Sequence, residues 1–128
     1  MTIIAQQIDS VFSSYPVVAT TNYVYNENAS TEDSAGWYNS LYDDVLVAIR
    51  CGTLNATDLQ YRIEGRGDTN YTSAIDLYSD TITTAQTIDE AINIVERVSE
   101  IRIGVKKTNN DNAASAYFSA GIIFTNSR

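Results

Sequence analysis

Histidine is absent from this chain of 128 residues, and cysteine, proline, methionine and tryptophan occur once each. Without histidine the commonest general base and metal ligand is missing, so no serine or cysteine has its usual activating partner. With Cys51 alone, no intrachain disulfide forms, and a small secreted domain would forgo a common stabiliser. Cys51 lies in the apolar run "VLVAIRCG" and reads as a small buried hydrophobe. Basic residues are scarce, 8 Lys and Arg against 16 Asp and Glu, for a net charge of -8. That leaves no basic surface to neutralise phosphates, so nucleic acid is excluded as a direct partner and an anionic membrane is disfavoured. The six glycines are scattered and build no phosphate loop. No apolar run approaches the roughly 20 residues of a membrane span. The N-terminal "MTIIAQQIDSVF" lacks the basic region of a signal peptide, and the expectation is a soluble chain made in a cytoplasm.

What the chain has in quantity is β structure. Apolar residues make up 44%, nine residues are tyrosine, and Thr, Ile and Val are abundant. Asn, Asp, Ser and Gly cluster between apolar runs, as turns require. Residues 17–25, "VVATTNYVY", read as a first strand, and 26–36, "NENASTEDSAG", as a polar loop. In "VLVAIRCG", Val45, Val47, Ile49 and Cys51 share one face. Leu46 and Ala48 occupy the other, which marks a strand covered on both sides. "DLQYRIEG" sends Leu59, Tyr61 and Ile63 inward and Gln60, Arg62 and Glu64 outward. Ile75 and Leu77 are the inward residues of the next strand. Ile101, Ile103 and Val105 line one face of a later strand, with Arg102 and Lys106 on its other side. Phe118, Ala120, Ile122 and Phe124 are in register in the last.

Two segments read either way. "TIDEAINIVERV" (87–98) carries a capping box, Thr87 with Glu90, yet alternates through 91–94. In "IIAQQIDSVFSS", Ile4, Ile8, Val11 and Phe12 fall at helical spacing, but the segment could equally be an arm packed on a partner. The expected architecture is therefore all-β. It is an antiparallel β-sandwich or jelly roll of about 6–8 strands over residues 17–128, preceded by an arm or short helix over 1–16.

The stretch "IEGRGDTNYT" spells Arg66-Gly67-Asp68, a tripeptide read by integrins. Gly65, Gly67, Asp68 and Asn70 supply the turn chemistry of a hairpin between two such strands, so the tripeptide is read as a loop tip. Three N-x-S/T sequons, at Asn28, Asn55 and Asn70, also fall in expected turns. Asp43-Asp44 is the one tight acidic pair, and in a strand the two carboxylates point to opposite faces. The loops "NENASTED" and "TNNDNAAS" offer oxygen atoms of calcium-ligand type, but read more simply as turns. No catalytic constellation emerges, and the expectation is a non-enzyme without cofactor or metal.

The segments "AGWYNSLYDDVLVAIRCGTL", "LQYRIEGRGDTNYTSAIDL" and "SEIRIGVKKTNNDNAASAYFSAGIIFT" resemble the small β-sandwich virion proteins of tailed bacteriophages. The resemblance covers residues 36–125 and rests on element order, not on a chemical motif. It implies a head decoration or cement protein on the capsid surface, with the major capsid protein and copies of itself as partners. A trimer at a local threefold is the symmetry expectation. The candidate interface is Ile3, Ile4, Ile8 and Phe12 of the N-terminal segment with Trp37, Tyr38 and Tyr42 of "GWYNSLY". The same aromatic cluster supports the alternative of a head-fibre or tail adhesin that stacks host-surface glycans.

Overall fold

The structure, a computed structural model, describes residues 3–17, 20–40, 44–51, 59–67, 73–82, 88–96, 98–107 and 117–127, with backbone alone at 3–5, 88 and 127. Eight strands follow in chain order: β1 (Ile3–Pro16), β2 (Tyr38–Asn39), β3 (Asp44–Cys51), β4 (Leu59–Arg66), β5 (Ile75–Ile82), β6 (Ile88–Ile94), β7 (Glu100–Lys107) and β8 (Tyr117–Ser127). Among the described residues there is no helix.

The strands form two antiparallel four-stranded sheets, in the orders β1-β8-β3-β6 and β2-β7-β4-β5. First pairs with last throughout: β1 with β8, β2 with β7, β3 with β6 and β4 with β5. That is one long antiparallel ribbon, with the β4–β5 hairpin at its tip, wrapped over itself so that β3 also meets β8 and β4 also meets β7. Eight strands in this order make a jelly roll, the expected fold class.

The core follows from period-two burial on both inner faces. β3 buries Val45, Val47, Ile49 and Cys51, and β8 buries Phe118, Ala120, Ile122 and Phe124. Facing them, β4 buries Leu59, Tyr61 and Ile63, and β7 buries Ile101, Ile103 and Val105. Phe118 joins the layers, edge-on to Phe12 at 5.4 Å and 6.0 Å from Tyr61. Such aromatic pairs add to the area they bury.

Several expectations are revised. The segment expected as an arm or short helix is strand β1, hydrogen-bonded along β8. Its helical spacing has a local cause. Register shifts between Ser10 and Phe12 and between Phe12 and Tyr15 each insert an extra residue, and Ser14 takes φ 47°. The bulges turn Val11, Phe12 and Tyr15 inward together, a spacing that mimics a helix. Among the described residues of the 17–25 segment, 17 and 20–25, there is no strand. Val24 alone bridges to Val105, exchanging bonds of 2.9 and 3.0 Å, before Asn26 turns the chain. The Asn26 side-chain oxygen accepts the N–H groups of Asn28 and Ser30, so this donor-rich loop uses its oxygen on itself. Ala48 is exposed, so β3 is covered on one face only. In β5, a bulge opposite Ile63 and Glu64 leaves Leu77 half-buried and Ile75 57% exposed, where both were expected inside. The 88–94 segment resolves as strand, with Asp89 to Ile94 in register along β3. The Arg66–Gly67 end of β4 enters the expected β4–β5 connection, whose residues 68–72, Asp68 included, lie outside the described set.

Candidate functional site

The densest polar chemistry lies on the outer face of the β2-β7-β4-β5 sheet. Alternation sends Arg62, Glu64 and Arg66 of β4 and Glu100, Arg102 and Lys106 of β7 to this side. Register sets Glu64 opposite Arg102 and Arg66 opposite Glu100, so unlike charges face each other across the strands. The Arg66 guanidinium donates to both Glu100 oxygens, at 3.0 and 3.1 Å. Arg62 Nε is 3.7 Å from an Asp76 carboxylate oxygen of β5.

The segment between β1 and β2 crosses this face and covers it with aromatic rings. Tyr23 receives Arg62 at 4.5 Å and Lys106 at 4.7 Å from its ring centre. Tyr25 receives Arg102 at 3.6 Å, and Trp37 receives Arg102 at 4.4 Å and Arg66 at 4.3 Å. Arg102 also reaches into the overlying turn, where its Nη1 donates to the carbonyls of Glu32, Asp33 and Ala35 at 3.3, 2.9 and 3.2 Å. Gly36 closes that turn at φ +78°, where an added Cβ would lie 2.4 Å from the Tyr25 carbonyl oxygen. Gly104 serves the same contact from the sheet side. A Cβ there would meet the Tyr25 ring at 2.7 Å.

Burial first, and then hydrogen bonding to the Glu64 carboxylate, push the Tyr25 hydroxyl up to about 12. On the inner face of the same sheet, Tyr61 donates to Glu90 at 3.0 Å, and burial followed by that bond raises its pKa too. Burial also raises the Cys51 thiol. These shifts keep neutral groups neutral and activate nothing.

A cleft of about 380 Å³ adjoins this cluster, lined in part by Asp33, Trp37, Arg66 and Arg102. Its two guanidinium groups already bond carboxylates and carbonyls, as described above. The arrangement acts as a clasp that fastens the 20–37 strap to the sheet. Among the described residues no three His, Cys, Asp or Glu side chains converge as a metal site, and no helix is long and apolar enough to cross a membrane.

The candidate interface residues separate. Phe12, 1% exposed, belongs to the core and presents no surface. Ile8 lies on β1 and is 67% exposed. Trp37 is held inside the clasp, its indole N–H donating to the Asp33 carbonyl at 2.7 Å. Tyr38 of β2 packs half-buried against the core. Burial, then the carboxylates of Asp9 and Glu27, raise its pKa. Ile3 and Ile4 are positions on β1 whose side chains fall outside the described set, and Tyr42 lies wholly outside it. Sequence reasoning missed the clasp, because Arg102 and Glu64 were expected in solvent. The available signal was three aromatics, Tyr23, Tyr25 and Trp37, bracketing the polar 26–36 loop.

No protein-family model matches the sequence, and no curated protein matches it. Solved structures do. A protein described in "Bacillus endospore appendages form a novel family of disulfide-linked pili" aligns over 99% of this chain and 93% of its own, at 11% identity and a TM-score of 0.53. Its likeness is one of fold. Two further structures align with lower scores, too low to argue from. They are PirA (11% identity, 94% and 83% of the two chains, TM-score 0.43) and the Tobacco streak virus coat protein (10% identity, 96% and 86%, TM-score 0.44). The fold and the clasp together define a non-covalently braced jelly-roll module.

Proposed function

We propose that this chain is a non-enzymatic structural subunit of a virion that decorates or cements a capsid through protein–protein contacts, with the major capsid protein and copies of itself as partners. One observation carries the reading: Arg66 and Arg102, the guanidinium groups beside the cleft, are spent on internal partners, so that the fold is braced and neither is left poised for a substrate. A rigid β-sandwich with an acidic surface suits a subunit that stays apart from like-charged copies until a specific interface forms. The sequence resemblance to small virion proteins of tailed bacteriophages points the same way. So does the shared fold with a protein whose description concerns pili, another surface assembly.

The glycan-adhesin alternative relied on Trp37, whose ring already engages two guanidinium groups. A glycan array is expected to return no binder. The direct test incubates purified heads, stripped of this chain, with recombinant protein and images them by cryo-electron microscopy. Added density at regular capsomer positions supports the reading. Bare heads at saturating protein overturn it.

A further inference from the structure

The four sheet edges of this jelly roll are protected to different degrees. An edge strand exposes a row of unpaired backbone groups, and proteins guard such edges with charge, shortness, bulges or cover. β2 has two residues. β5 carries Asp76 and Asp80, and β6 carries Asp89 and Glu90. β1 is the longest strand, 14 residues, pairs only with β8, and carries one charge, Asp9.

Protection along β1 is also uneven. Its C-terminal half is bulged, and the Ser13 N–H is taken by the Glu27 carboxylate at 2.6 Å. From Ala5 to Ser10 the strand is regular, in unbroken register with Asn126 to Gly121. On the outer face of this stretch stands Ile8, 67% exposed, in one cross-strand row with Ile123 of β8 and Leu46 of β3. Its neighbours Gln7 and Asp9 share the other face, and the Gln7 amide donates to the Asp9 carboxylate at 2.6 Å.

We infer that the Gln6–Ser10 edge of β1 pairs antiparallel with the same edge of a second copy, about a twofold axis at Ile8. The inference rests on the self-association part of the proposed function and not on the capsid partner. A twofold contact uses one surface twice, so the strand must complement itself. Centred on Ile8, it does. The two Ile8 side chains meet on the axis, each Gln7 faces the partner's Asp9, and Asp9 never sits directly opposite its own copy. The Leu46–Ile123–Ile8 row then runs unbroken over the six central strands of an eight-stranded sheet, and cross-strand apolar pairs of this kind stabilise it. Centring on Gln7 instead would set Ile8 against a glutamine. Head-to-tail pairing of β1 with β6 would set Asp9 against a strand that carries two acids and no base.

The test uses two substitutions in the full chain. Ile8→Lys alters an exposed side chain, so the circular dichroism spectrum should hold, while two lysines meet on the axis. Ile8→Cys in a Cys51→Ala background should oxidise to a covalent dimer under mild oxidant, and Ser79→Cys on β5 in the same background should not. Sedimentation should show the parent chain as a dimer or a multiple of one and Ile8→Lys as its half-sized product. Assemblies of unchanged size with Ile8→Lys and no Ile8→Cys cross-link would overturn this seam and leave self-association standing. A parent chain that sediments as a monomer at every concentration would overturn both.

Discussion

Arg102 and Glu64 face each other across β7 and β4, 2% and 5% exposed, with Nε 3.3 Å from Oε1. Charge so deep in a protein is retained where its hydrogen bonds are complete, and removing one partner strands the other. The stranded groups here would be the Glu64 carboxylate and three carbonyls of the 32–35 turn. Arg102→Met should therefore lower unfolding free energy by about 3–5 kcal/mol, read from urea denaturation. The double change Arg102→Met with Glu64→Leu should recover part of that loss. A single substitution within the scatter of surface variants would show that the pair does not brace the fold.

Gly36 is the hinge of the same clasp. A side chain at φ +78° is strained, and its Cβ would sit inside the Tyr25 backbone. Gly36→Ala should cost about 1–3 kcal/mol and loosen the strap before the sheets. Limited proteolysis then cuts within residues 20–37 while the β4–β7 ladder keeps its hydrogen-exchange protection. Cleavage spread evenly through the chain would contradict a local clasp.

Alkaline pH should loosen the same region. Tyr25 titrates at about 12 in the fold against 10.0 for a free tyrosine. A raised folded value means that the unfolded chain loses its proton first, so the stabilisation is complete below about pH 10 and declines as pH rises toward 12. Tyr61 shifts in the same direction through burial and Glu90. The urea midpoint should fall across this window, in step with phenolate absorbance. Tyr25→Phe should flatten the part of the fall that belongs to Tyr25. A midpoint that is level over the window, or rises, would refute the sign.

The inner faces of β3, β4, β7 and β8 were legible because each holds strict alternation, and alternation reports which residues share a face. It does not report whether the opposite face is covered. Arg102 alternates like a solvent residue, and the carbonyls that bury it lie some 70 residues upstream, brought over it only when the ribbon wraps. Val17 to Tyr25 has strand composition, yet β2 also occupies the free edge of β7, and Val24 alone finds a bridge there. The candidate interface was read from exposed-looking apolar residues, so it mixed core, clasp and surface. Phe12, Trp37 and Ile8 are one of each.

The contrast between Phe12 and Ile8 makes the last prediction, four residues apart on one strand. Bulges, rather than a helix, set their phase, so Phe12 packs 5.3 Å from Tyr15 and 5.4 Å from Phe118 while Ile8 faces outward. Phe12→Ala should cost about 3–5 kcal/mol through the cavity it leaves. Ile8→Ala should stay within about 0.5 kcal/mol when measured on the isolated subunit. Deleting residues 1–14 should then abolish cooperative unfolding instead of merely weakening attachment, because β8 loses one of its two partner strands and Phe118 loses Phe12. A deleted chain that still melts cooperatively near the parent temperature would mean that β1 is an accessory arm after all, and that β8 tolerates an open edge.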